Sequence, residues 1–407
     1  MVRLSRAASS VEPYPFEELD RRKAERLGVG AELIDFGVGD PRGETAPFIR
    51  RALADAIAPV SSYPRAAGLP ELRGAIAAWI ARRFEVSLDP ELDVLPLLGS
   101  KELIFSLASL LVDPGVDDLV LVTAPGYGVP ERGARYAGAE VTRLPLAESD
   151  GFLPDLDAID ADTWSRARLL WLNYPNNPTG AVAPLSFLRH AAERCREHDV
   201  VLAADEAYTE LWFEGGPPAS ALQTGELSNV VAINTLSKRS SMTGYRSGFV
   251  AGDRTVIDAL KRLRPATGVT PQELVQRASI AAWSDEDHVV ANRASYAEKR
   301  GVLAAALDEL GIRVAGSMAG MYLWVEVPGG RPSLDWTLEL LDAGVMVAPG
   351  SFFGPEGEGF VRMALVPSLD DHLRAADLLR DALGPNAAAA RTDRSRAGQD
   401  SNLRPAD

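Results

Sequence analysis

The chain contains little cysteine and no long apolar segment. The single cysteine among its 407 residues, Cys195, cannot form a disulfide within the chain, so we expect the reducing setting of the cytoplasm. The longest apolar stretch, Leu103 to Val112, is too short to span a bilayer, and Met1 to Ser10 carries arginines without a following apolar core. The sequence therefore predicts a cytoplasmic protein that neither enters a membrane nor carries a targeting segment.

Positive charge is also in deficit. Lysine and arginine total 42 against 57 aspartate and glutamate residues, for a formal net charge of -15. This excess of acid argues against binding to nucleic acid or to an anionic membrane surface. Hydrophobic residues make up 46% of the chain and charged residues 24%, as in ordinary globular enzymes, and the length suits about two domains. We therefore expect small-molecule partners, and we predict no metal ligand set.

Short apolar runs alternate with helical segments from about residue 93 to residue 263. The runs read as buried strands, namely Leu119 to Val122, Leu169 to Leu172, Val200 to Ala204 and Val230 to Ile233. Strands that alternate with helices in this way predict an α/β fold with a mostly parallel sheet covered by helices. We expect this sheet to form the larger of two domains.

The pattern changes after a helical region that runs from about residue 272 to residue 310. Three short strands follow, at Met321 to Val327, Val345 to Val347 and Phe360 to Leu365. They predict a smaller α+β domain. The predicted parts are an N-terminal segment that joins the small domain (1–47), a large domain (48–285), a small domain (286–384) and a disordered tail (385–407). The tail has no periodic apolar face.

Lys238 is the first candidate for catalysis. It follows the apolar run Val230 to Ile233 and lies near Ser237 and Arg246, whose hydroxyl and planar guanidinium suit a phosphate. A lysine held among such groups is typical of those that bond to the aldehyde of pyridoxal phosphate. On this segment alone a solvated surface lysine remains the more common interpretation.

Polar side chains elsewhere follow predicted strands or precede a predicted helix. Asp205 and Tyr208 follow the run Val200 to Ala204, and Asn177 follows Leu169 to Leu172. Because ligands bind at the carboxyl edge of open α/β sheets, an acid there could keep a pyridine nitrogen protonated, and the phenol and amide could bind the ring's 3-oxygen. Ordinary turn residues would look similar. Ser100, before the apolar segment from Leu103, suits a phosphate or a simple helix cap.

Together these motifs resemble the class I/II pyridoxal-phosphate aminotransferases of fold type I, over roughly residues 12 to 383. The motifs in that family's order are Tyr63-Pro64, Gly68-Leu69-Pro70-Glu71-Leu72-Arg73, Asn177-Pro178-Thr179-Gly180, Asp205-Glu206-Ala207-Tyr208, Ser237-Lys238 and Arg246. The resemblance implies a mostly parallel, seven-stranded sheet in the large domain. It also implies that Lys238 bonds to the cofactor and carries the proton between the substrate and the cofactor. It further implies that Asp205 pairs with the pyridinium nitrogen and that Asn177 and Tyr208 bind the 3-oxygen. The phosphate ligands it implies are Ser100, the backbone of Lys101, Ser237 and Arg246.

Four further residues take roles only through this resemblance. Tyr127 matches the aromatic that stacks on the pyridine ring, and Arg362 matches the arginine that binds the substrate α-carboxylate. Gly39 matches a glycine whose backbone lies close to the substrate. Tyr63 matches a tyrosine that reaches the cofactor phosphate of the neighbouring subunit, which implies a homodimer.

Within the family, several stretches look like the succinyldiaminopimelate aminotransferases of lysine synthesis, which use glutamate as amino donor. They are Pro13 to Leu19, Gly99 to Glu102, Ser237 to Ser240, Arg246 to Asp253, Ala278 to Val289 and Met321 to Trp324. The alternatives are another aminotransferase, acting on LL-diaminopimelate, aspartate or a broad set of amino acids, a C-S lyase or synthase with the same cofactor, and a non-catalytic binding protein.

Two details of the chemistry are also expectations. We expect nearby positive charge to bring the amine of Lys238 toward neutrality, so that it can act as a base. Lys101 and Arg239 are candidates for contact with a distal anionic group of the substrate. For Arg239 a solvated surface position is the more common interpretation.

Overall fold

The computed structural model describes residues 2–3, 17–28, 30–60 and 62–384. The predicted tail, residues 385–407, and most of the stretch Pro13 to Leu19 lie outside these ranges.

The α-helices within the described ranges are α1 (Glu17–Gly28), α2 (Pro47–Asp55), α3 (Pro70–Phe84), α4 (Ser100–Ser106), α5 (Ala108–Leu111), α6 (Val129–Ala137), α7 (Ala161–Arg166), α8 (Leu185–Glu197), α9 (Leu236–Arg239), α10 (Arg254–Thr267), α11 (Glu273–Trp283), α12 (Asp287–Glu309), α13 (Ser333–Asp342) and α14 (Leu369–Leu383). The strands are β1 (Ile34–Asp35), β2 (Val94–Leu97), β3 (Leu119–Ala124), β4 (Glu140–Pro145), β5 (Ala167–Asn173), β6 (Val201–Asp205), β7 (Val230–Thr235), β8 (Gly248–Gly252), β9 (Val314–Ala315), β10 (Tyr322–Glu326), β11 (Val345–Met346), β12 (Ala348–Pro349) and β13 (Phe360–Ala364).

Seven strands form one sheet in the order β2-β8-β7-β6-β5-β3-β4. The pairs from β4 through β3, β5 and β6 to β7 are parallel, and β8 pairs antiparallel with both of its neighbours. Successive side chains of a strand face opposite sides of the sheet. Leu170 accordingly packs in a core with Leu188 of α8, whereas its neighbour Trp171 packs in another core with Ile104 of α4. The sheet is therefore covered on both faces, which explains why its central strands are continuously apolar.

A second set of strands forms a smaller layer. β12, β13, β10 and β9 make a four-stranded antiparallel sheet, and β1 pairs in parallel with β11. The core of this layer includes Leu303 and Leu307 of α12, Trp336 of α13 and Leu379 of α14. The segment near residue 34 thus pairs with a strand from the C-terminal part of the chain. The exact domain boundaries stay a prediction.

The α/β fold and the seven-stranded, mostly parallel sheet predicted from the sequence are confirmed. Two elements differ from expectation. The predicted apolar helix from Leu103 to Val112 is two short helices, α4 and α5, and α4 begins three residues earlier, at Ser100. The predicted strand Val345 to Val347 is divided into β11 and β12, which join different sheets. None of the described helices is both long and apolar enough to cross a membrane.

Candidate active site

A cavity of about 310 Å³ opens at the carboxyl edge of the seven-stranded sheet, within the size range of small-molecule sites. Asn173 at the end of β5 lies in register with Asp205 at the end of β6, and Asp205 lies beside Ile233 of β7. The turns that follow these strands therefore meet. All the predicted site residues except Tyr63 and Arg239 line the cavity, namely Gly39, Ser100, Lys101, Tyr127, Asn177, Asp205, Tyr208, Ser237, Lys238, Arg246 and Arg362.

Lys238 lies in α9, the single helical turn that directly follows β7. Its Nζ donates a hydrogen bond to the carbonyl oxygen of Gly39, at 2.8 Å. The pKa of this amine is lowered to about 8, mainly by burial and in smaller part by the guanidinium groups of Arg362 and Arg246, while the carboxylate of Asp40 opposes the shift. Nearby positive charge lowers this pKa, as expected, but removal of the amine from water contributes more. The amine is thus partly neutral near physiological pH.

The turn that carries Lys238 is held by the start of α12. Asn292 Nδ2 donates to the carbonyl oxygens of Lys238, at 2.9 Å, and of Arg239, at 3.1 Å. His288 bonds through Nε2 to the hydroxyl of Ser240, at 2.8 Å, and through Nδ1 to the carboxylate of Asp285, at 2.5 Å. The backbone around Lys238 is therefore held in place by side chains that lie outside the cavity.

Asp205 is a buried acid with little to compensate its charge. Its carboxylate accepts one long hydrogen bond, from the backbone N–H of Ala207 at 3.3 Å, and its side chain faces the cavity. Burial raises the pKa of Asp205 to about 7, opposed by that hydrogen bond and by the charge of Lys238. Such a carboxyl group suits a cationic N–H placed in the cavity, which is what a protonated pyridine ring would offer.

Tyr208, three residues after Asp205, points at a second tyrosine. Its hydroxyl lies 3.0 Å from the hydroxyl of Tyr322 in β10, and the two rings meet edge to face with centroids 5.6 Å apart. Burial raises the pKa of Tyr208 well above its usual value, so this phenol stays protonated and can donate a hydrogen bond. The expected contact with a ring 3-oxygen is compatible with this position.

Arg362 and Asn177 form the side of the cavity that suits a carboxylate. Arg362 donates from Nη1 to Asn177 Oδ1, at 2.9 Å, and from Nη2 to the carbonyl oxygen of Gly37, at 2.7 Å. Its guanidinium carbon lies 4.3 Å from the ring centre of Tyr322 and 4.6 Å from that of Phe353. Its Nε is buried and bonds to no other described residue. The aromatic rings orient the guanidinium and keep water from it, which strengthens its attraction for an anion.

The opposite end of the cavity suits a phosphate. Ser237, whose hydroxyl accepts from Thr235 at 3.0 Å, lies there with Ser100 and the guanidinium of Arg246. Gly99 has φ of +71°, and a Cβ at this position would lie 2.3 Å from Arg246 Nη2. Glycine is therefore required at position 99 both for its backbone conformation and for the close approach of the guanidinium.

The remaining predicted residues lie at different depths. The half-buried Tyr127 and the exposed Lys101 line the cavity. Tyr63 is fully exposed and does not line the cavity of its own chain, so its role toward a neighbouring subunit stays a prediction. Both interpretations of Arg239 are wrong. Its side chain is buried, its guanidinium lies 5.0 Å from the ring of Trp283, and it pairs with Glu286 at 2.6 Å.

Sequence reasoning assigns no role to several other residues that line the cavity, among them the polar residues Asp40, Asn173 and Tyr322. Asn173 donates from Nδ2 to the carbonyl oxygen of Asp205, at 2.9 Å, and its Oδ1 accepts from the N–H of Asn177, at 2.8 Å. Its place directly after the apolar run at Leu169 to Leu172 is a usable signal. Tyr322 offers none, because its contacts join segments far apart in the chain.

Pyridoxal phosphate fits the residues present. The cavity offers a neutralisable amine, a buried acid with no described cationic partner in contact, hydroxyl and guanidinium groups for a phosphate, and a shielded arginine for a carboxylate. An amine and an acid of this kind at the edge of a seven-stranded sheet define a fold type I enzyme that acts on amino acids with pyridoxal phosphate.

Comparison with known proteins gives the family. The sequence model of "Aminotransferase class I and II" matches residues 31–376, and the chain belongs to this family. An LL-diaminopimelate aminotransferase of Dehalococcoides mccartyi is 40% identical over 369 residues, which are 89% of this chain and 95% of the relative. The chain is a pyridoxal-phosphate-dependent aminotransferase, and its substrates are amino acids and 2-oxo acids.

Two solved structures are similar along nearly their whole length. Substrate-bound BacF from Bacillus subtilis superposes with a TM-score of 0.87 at 32% identity and covers 94% of this chain and 98% of its own. A probable N-succinyldiaminopimelate aminotransferase from Thermus thermophilus superposes with a TM-score of 0.83 at 33% identity and covers 90% of this chain and 100% of its own.

Proposed function

We propose that this aminotransferase acts on LL-diaminopimelate and exchanges its amino group with a 2-oxo acid in lysine biosynthesis, with glutamate and 2-oxoglutarate as the second pair. The observation that carries the proposal is the 40% identity over 369 residues to an LL-diaminopimelate aminotransferase. The succinylated substrate expected from the sequence becomes the second candidate. It is supported by the 33% identity to the probable N-succinyldiaminopimelate enzyme of Thermus thermophilus.

The two candidate substrates differ only at the end that does not react. The distal end of LL-diaminopimelate carries an ammonium and a carboxylate, whereas succinylation turns that amine into a neutral amide and adds a further carboxylate. Asp40 and Lys101 are exposed groups of opposite charge that both line the cavity. Of the two candidate substrates, only LL-diaminopimelate has a distal ammonium that can pair with the carboxylate of Asp40. This favours LL-diaminopimelate, because an acid beside a neutral amide gains little from it.

The chemistry assigns the residues as follows. Bound pyridoxal phosphate supplies a carbonyl that takes up the amino group and a ring that withdraws electrons from the substrate Cα. With the cofactor bound, Lys238 Nζ would remove the substrate Cα proton, and the pKa of about 8 of the free amine suits it to that role. Arg362 would hold the α-carboxylate through its guanidinium, and Asp205 would keep a proton on the pyridine nitrogen. The two half-reactions follow each other at one site.

We further propose that the protein is a homodimer in the cytoplasm. Tyr63 is fully exposed, and the phosphate end of the cavity is where a residue from a second copy is expected. The lone cysteine, Cys195, is buried in α8, and burial raises the pKa of its thiol, so it is poorly reactive. Sedimentation of the purified protein tests the dimer, and a monomer that retains full activity would contradict it.

A panel of half-reactions tests the substrate. LL-diaminopimelate, N-succinyl-LL-diaminopimelate, glutamate, aspartate and acetylornithine are added one at a time to the holoenzyme, and the cofactor absorbance is recorded. LL-diaminopimelate and glutamate should each change the spectrum at low concentration, and the succinylated amine should need a much higher one. The reverse order would replace the proposed substrate by the succinylated one. No change with any diaminopimelate, but a change with glutamate, would remove both candidates and leave the family intact.

The variant Asp40→Asn gives a sharper test of the distal contact. It should raise KM for LL-diaminopimelate while leaving KM for N-succinyl-LL-diaminopimelate nearly unchanged, because only the first substrate offers an ammonium to the lost carboxylate. Glutamate serves as the internal control, since the variant also alters the charge near Lys238. An equal rise in KM for all three amines would show that Asp40 does not read the distal end.

A further inference from the structure

Tyr322 joins the two sheets at the cavity. It lies at the start of β10 in the four-stranded sheet, and its side chain is 3% exposed. Its hydroxyl lies 3.0 Å from that of Tyr208, which follows β6 of the seven-stranded sheet. The bond therefore connects segments 114 residues apart in the chain. Because buried hydroxyl groups need a hydrogen-bond partner, each of these two phenols serves as the partner of the other.

The same side chain touches two more parts of the site. A Cβ at position 39 would lie 2.4 Å from the Tyr322 hydroxyl, so the backbone of Gly39 lies directly against the phenol. The carbonyl oxygen of Gly39 is the group that accepts from Lys238 Nζ. The ring of Tyr322 forms the face over which the guanidinium of Arg362 lies, at 4.3 Å. Tyr322 thus contacts the cofactor side through its oxygen and the carboxylate side through its ring.

The direction of the hydrogen bond between the two phenols has a consequence for the cofactor. Each hydroxyl carries one hydrogen, so Tyr208 cannot donate to Tyr322 and to a ring oxygen at the same time. When Tyr322 donates to Tyr208, the hydrogen of Tyr208 is free for the ring oxygen, and the chain of two donors makes that hydrogen bond stronger. Asp205 and Arg362 are charged groups that face Tyr208. Tyr296 lies near Tyr322, and Asp40 lies near Tyr296.

We propose that Tyr322 is a positioning residue with two separable parts. Its hydroxyl donates to Tyr208 and so directs the hydrogen of Tyr208 to the 3-oxygen of pyridoxal phosphate. Its ring independently holds the guanidinium of Arg362 in the orientation that binds the substrate carboxylate. The inference rests on the proposed contact between Tyr208 and the cofactor, and it holds whichever diaminopimelate is the substrate.

Two substitutions separate the parts. Tyr322→Phe removes the oxygen and keeps the ring, whereas Tyr322→Leu removes both. For Tyr322→Phe, the pKa read from the absorbance of the bound cofactor should rise, in the same direction as for Tyr208→Phe but by less, because the hydrogen bond that the anionic 3-oxygen accepts from Tyr208 becomes weaker. Pyridoxal phosphate should bind about fivefold more weakly, the effect of one hydrogen bond. KM for glutamate should stay within about twofold of the parent value, since a phenyl ring still covers Arg362.

Tyr322→Leu should show the same spectral change and, in addition, a KM for glutamate raised about tenfold. The double variant Tyr208→Phe with Tyr322→Phe should have the spectral pKa of Tyr208→Phe alone, because the hydroxyl of Tyr322 acts through that of Tyr208. Tyr136→Phe, which removes a hydroxyl from an exposed tyrosine of α6, is the matched control and should change neither quantity.

The results that overturn the proposal are also separable. An unchanged spectral pKa in Tyr322→Phe, or a shift of equal size in the presence and absence of the Tyr208 hydroxyl, would remove the first part. A KM raised equally by Tyr322→Phe and Tyr322→Leu would remove the second. If Tyr322→Leu does not fold, the phenylalanine variants alone decide the first part, and Tyr322→Met, which fills similar volume without a ring, decides the second. Failure of the substrate panel leaves these outcomes unchanged.

Discussion

Replacing Asp205 by asparagine should stabilise the cofactor-free protein and at the same time weaken its binding of pyridoxal phosphate. The carboxyl group is buried, and its pKa is raised from the ordinary 3.8 to about 7. A shift of this size, at about 1.4 kcal/mol per unit, corresponds to at most about 4 kcal/mol of unfolding free energy lost when the group ionises. Asparagine has nearly the same shape and cannot ionise, so it avoids this loss.

The pH dependence follows from the sign of the shift. Because the folded pKa lies above the unfolded one, the folded protein binds more protons between the two values, and its stability falls as the pH rises from about 4 through about 7. The variant Asp205→Asn lacks this titration. The two proteins should therefore be similar in stability near pH 4. Above about pH 7 the variant should be more stable than the parent by up to about 4 kcal/mol of unfolding free energy.

Bound cofactor should cancel most or all of this gain. A protonated pyridine nitrogen would pair with the ionised Asp205, and breaking such a buried pair costs about 3–5 kcal/mol. Pyridoxal phosphate should thus bind at least about 100-fold more weakly to Asp205→Asn and stabilise its fold less. Without the cofactor the variant is therefore expected to be more stable than the parent at pH 8, and with the cofactor this difference should shrink by about 3–5 kcal/mol.

Chemical denaturation of both proteins at pH 4.5 and pH 8, with and without saturating pyridoxal phosphate, measures these stabilities. Glu206→Gln is the matched control, because burial also raises the pKa of Glu206 to about 7, whereas its carboxylate bonds to the N–H of Ala221 and lies outside the cavity. Without the cofactor, Glu206→Gln should also be more stable than the parent at pH 8 and similar to it at pH 4.5. Its affinity for pyridoxal phosphate should be unchanged. A cofactor-free Asp205→Asn protein that is no more stable than the parent at pH 8 would refute the argument from burial.

Two more predictions concern the ends of the cavity. Gly99→Ala should displace the guanidinium of Arg246, since a Cβ would lie 2.3 Å from its Nη2. Binding of pyridoxal phosphate should then weaken by about 10- to 100-fold, while binding of pyridoxal, which lacks the phosphate, stays the same. Equal losses of affinity for both compounds would contradict this. The rate at which the cofactor-free protein takes up pyridoxal phosphate should rise with pH and level off above about pH 8, the pKa of Lys238. Asp40→Asn should move this profile to lower pH, because the carboxylate of Asp40 raises that pKa. A profile that continues to rise to pH 10 would show an exposed amine instead.

Much of the site could be predicted because it depends on the order of the strands. Asp205 and Asn177 follow apolar runs that are parallel neighbours, and the carboxyl ends of parallel strands meet at one edge of a sheet. Lys238 follows the next strand in the same way. The distance between these residues in the chain carries no information about their contact, but their position relative to the strands does.

Other features depend on contacts that no local pattern contains. Arg239 looks like a surface residue in the sequence, yet it is buried against Trp79 and Trp283, which approach from α3 and α11. Tyr322 is predictable only as part of a strand, since its role depends on which segments the two sheets bring together. The division of the segment after Ser100 into α4 and α5 likewise follows from packing, because the apolar residues there are compatible with one continuous helix.

The helix α12 has a mechanical role that follows from its two ends. At 23 residues it is about 35 Å long. Asn292, near its first turn, holds the carbonyl groups of Lys238 and Arg239, whereas Leu303 and Leu307 anchor its other half in the core beneath the four-stranded sheet. Tilting such a rod by about three degrees around the distant anchor moves Asn292 by about 1 Å. Since a displacement of this size can slow catalysis about 100-fold, repacking around Leu307 should alter the reactivity of the amine without any change in the residues that surround it.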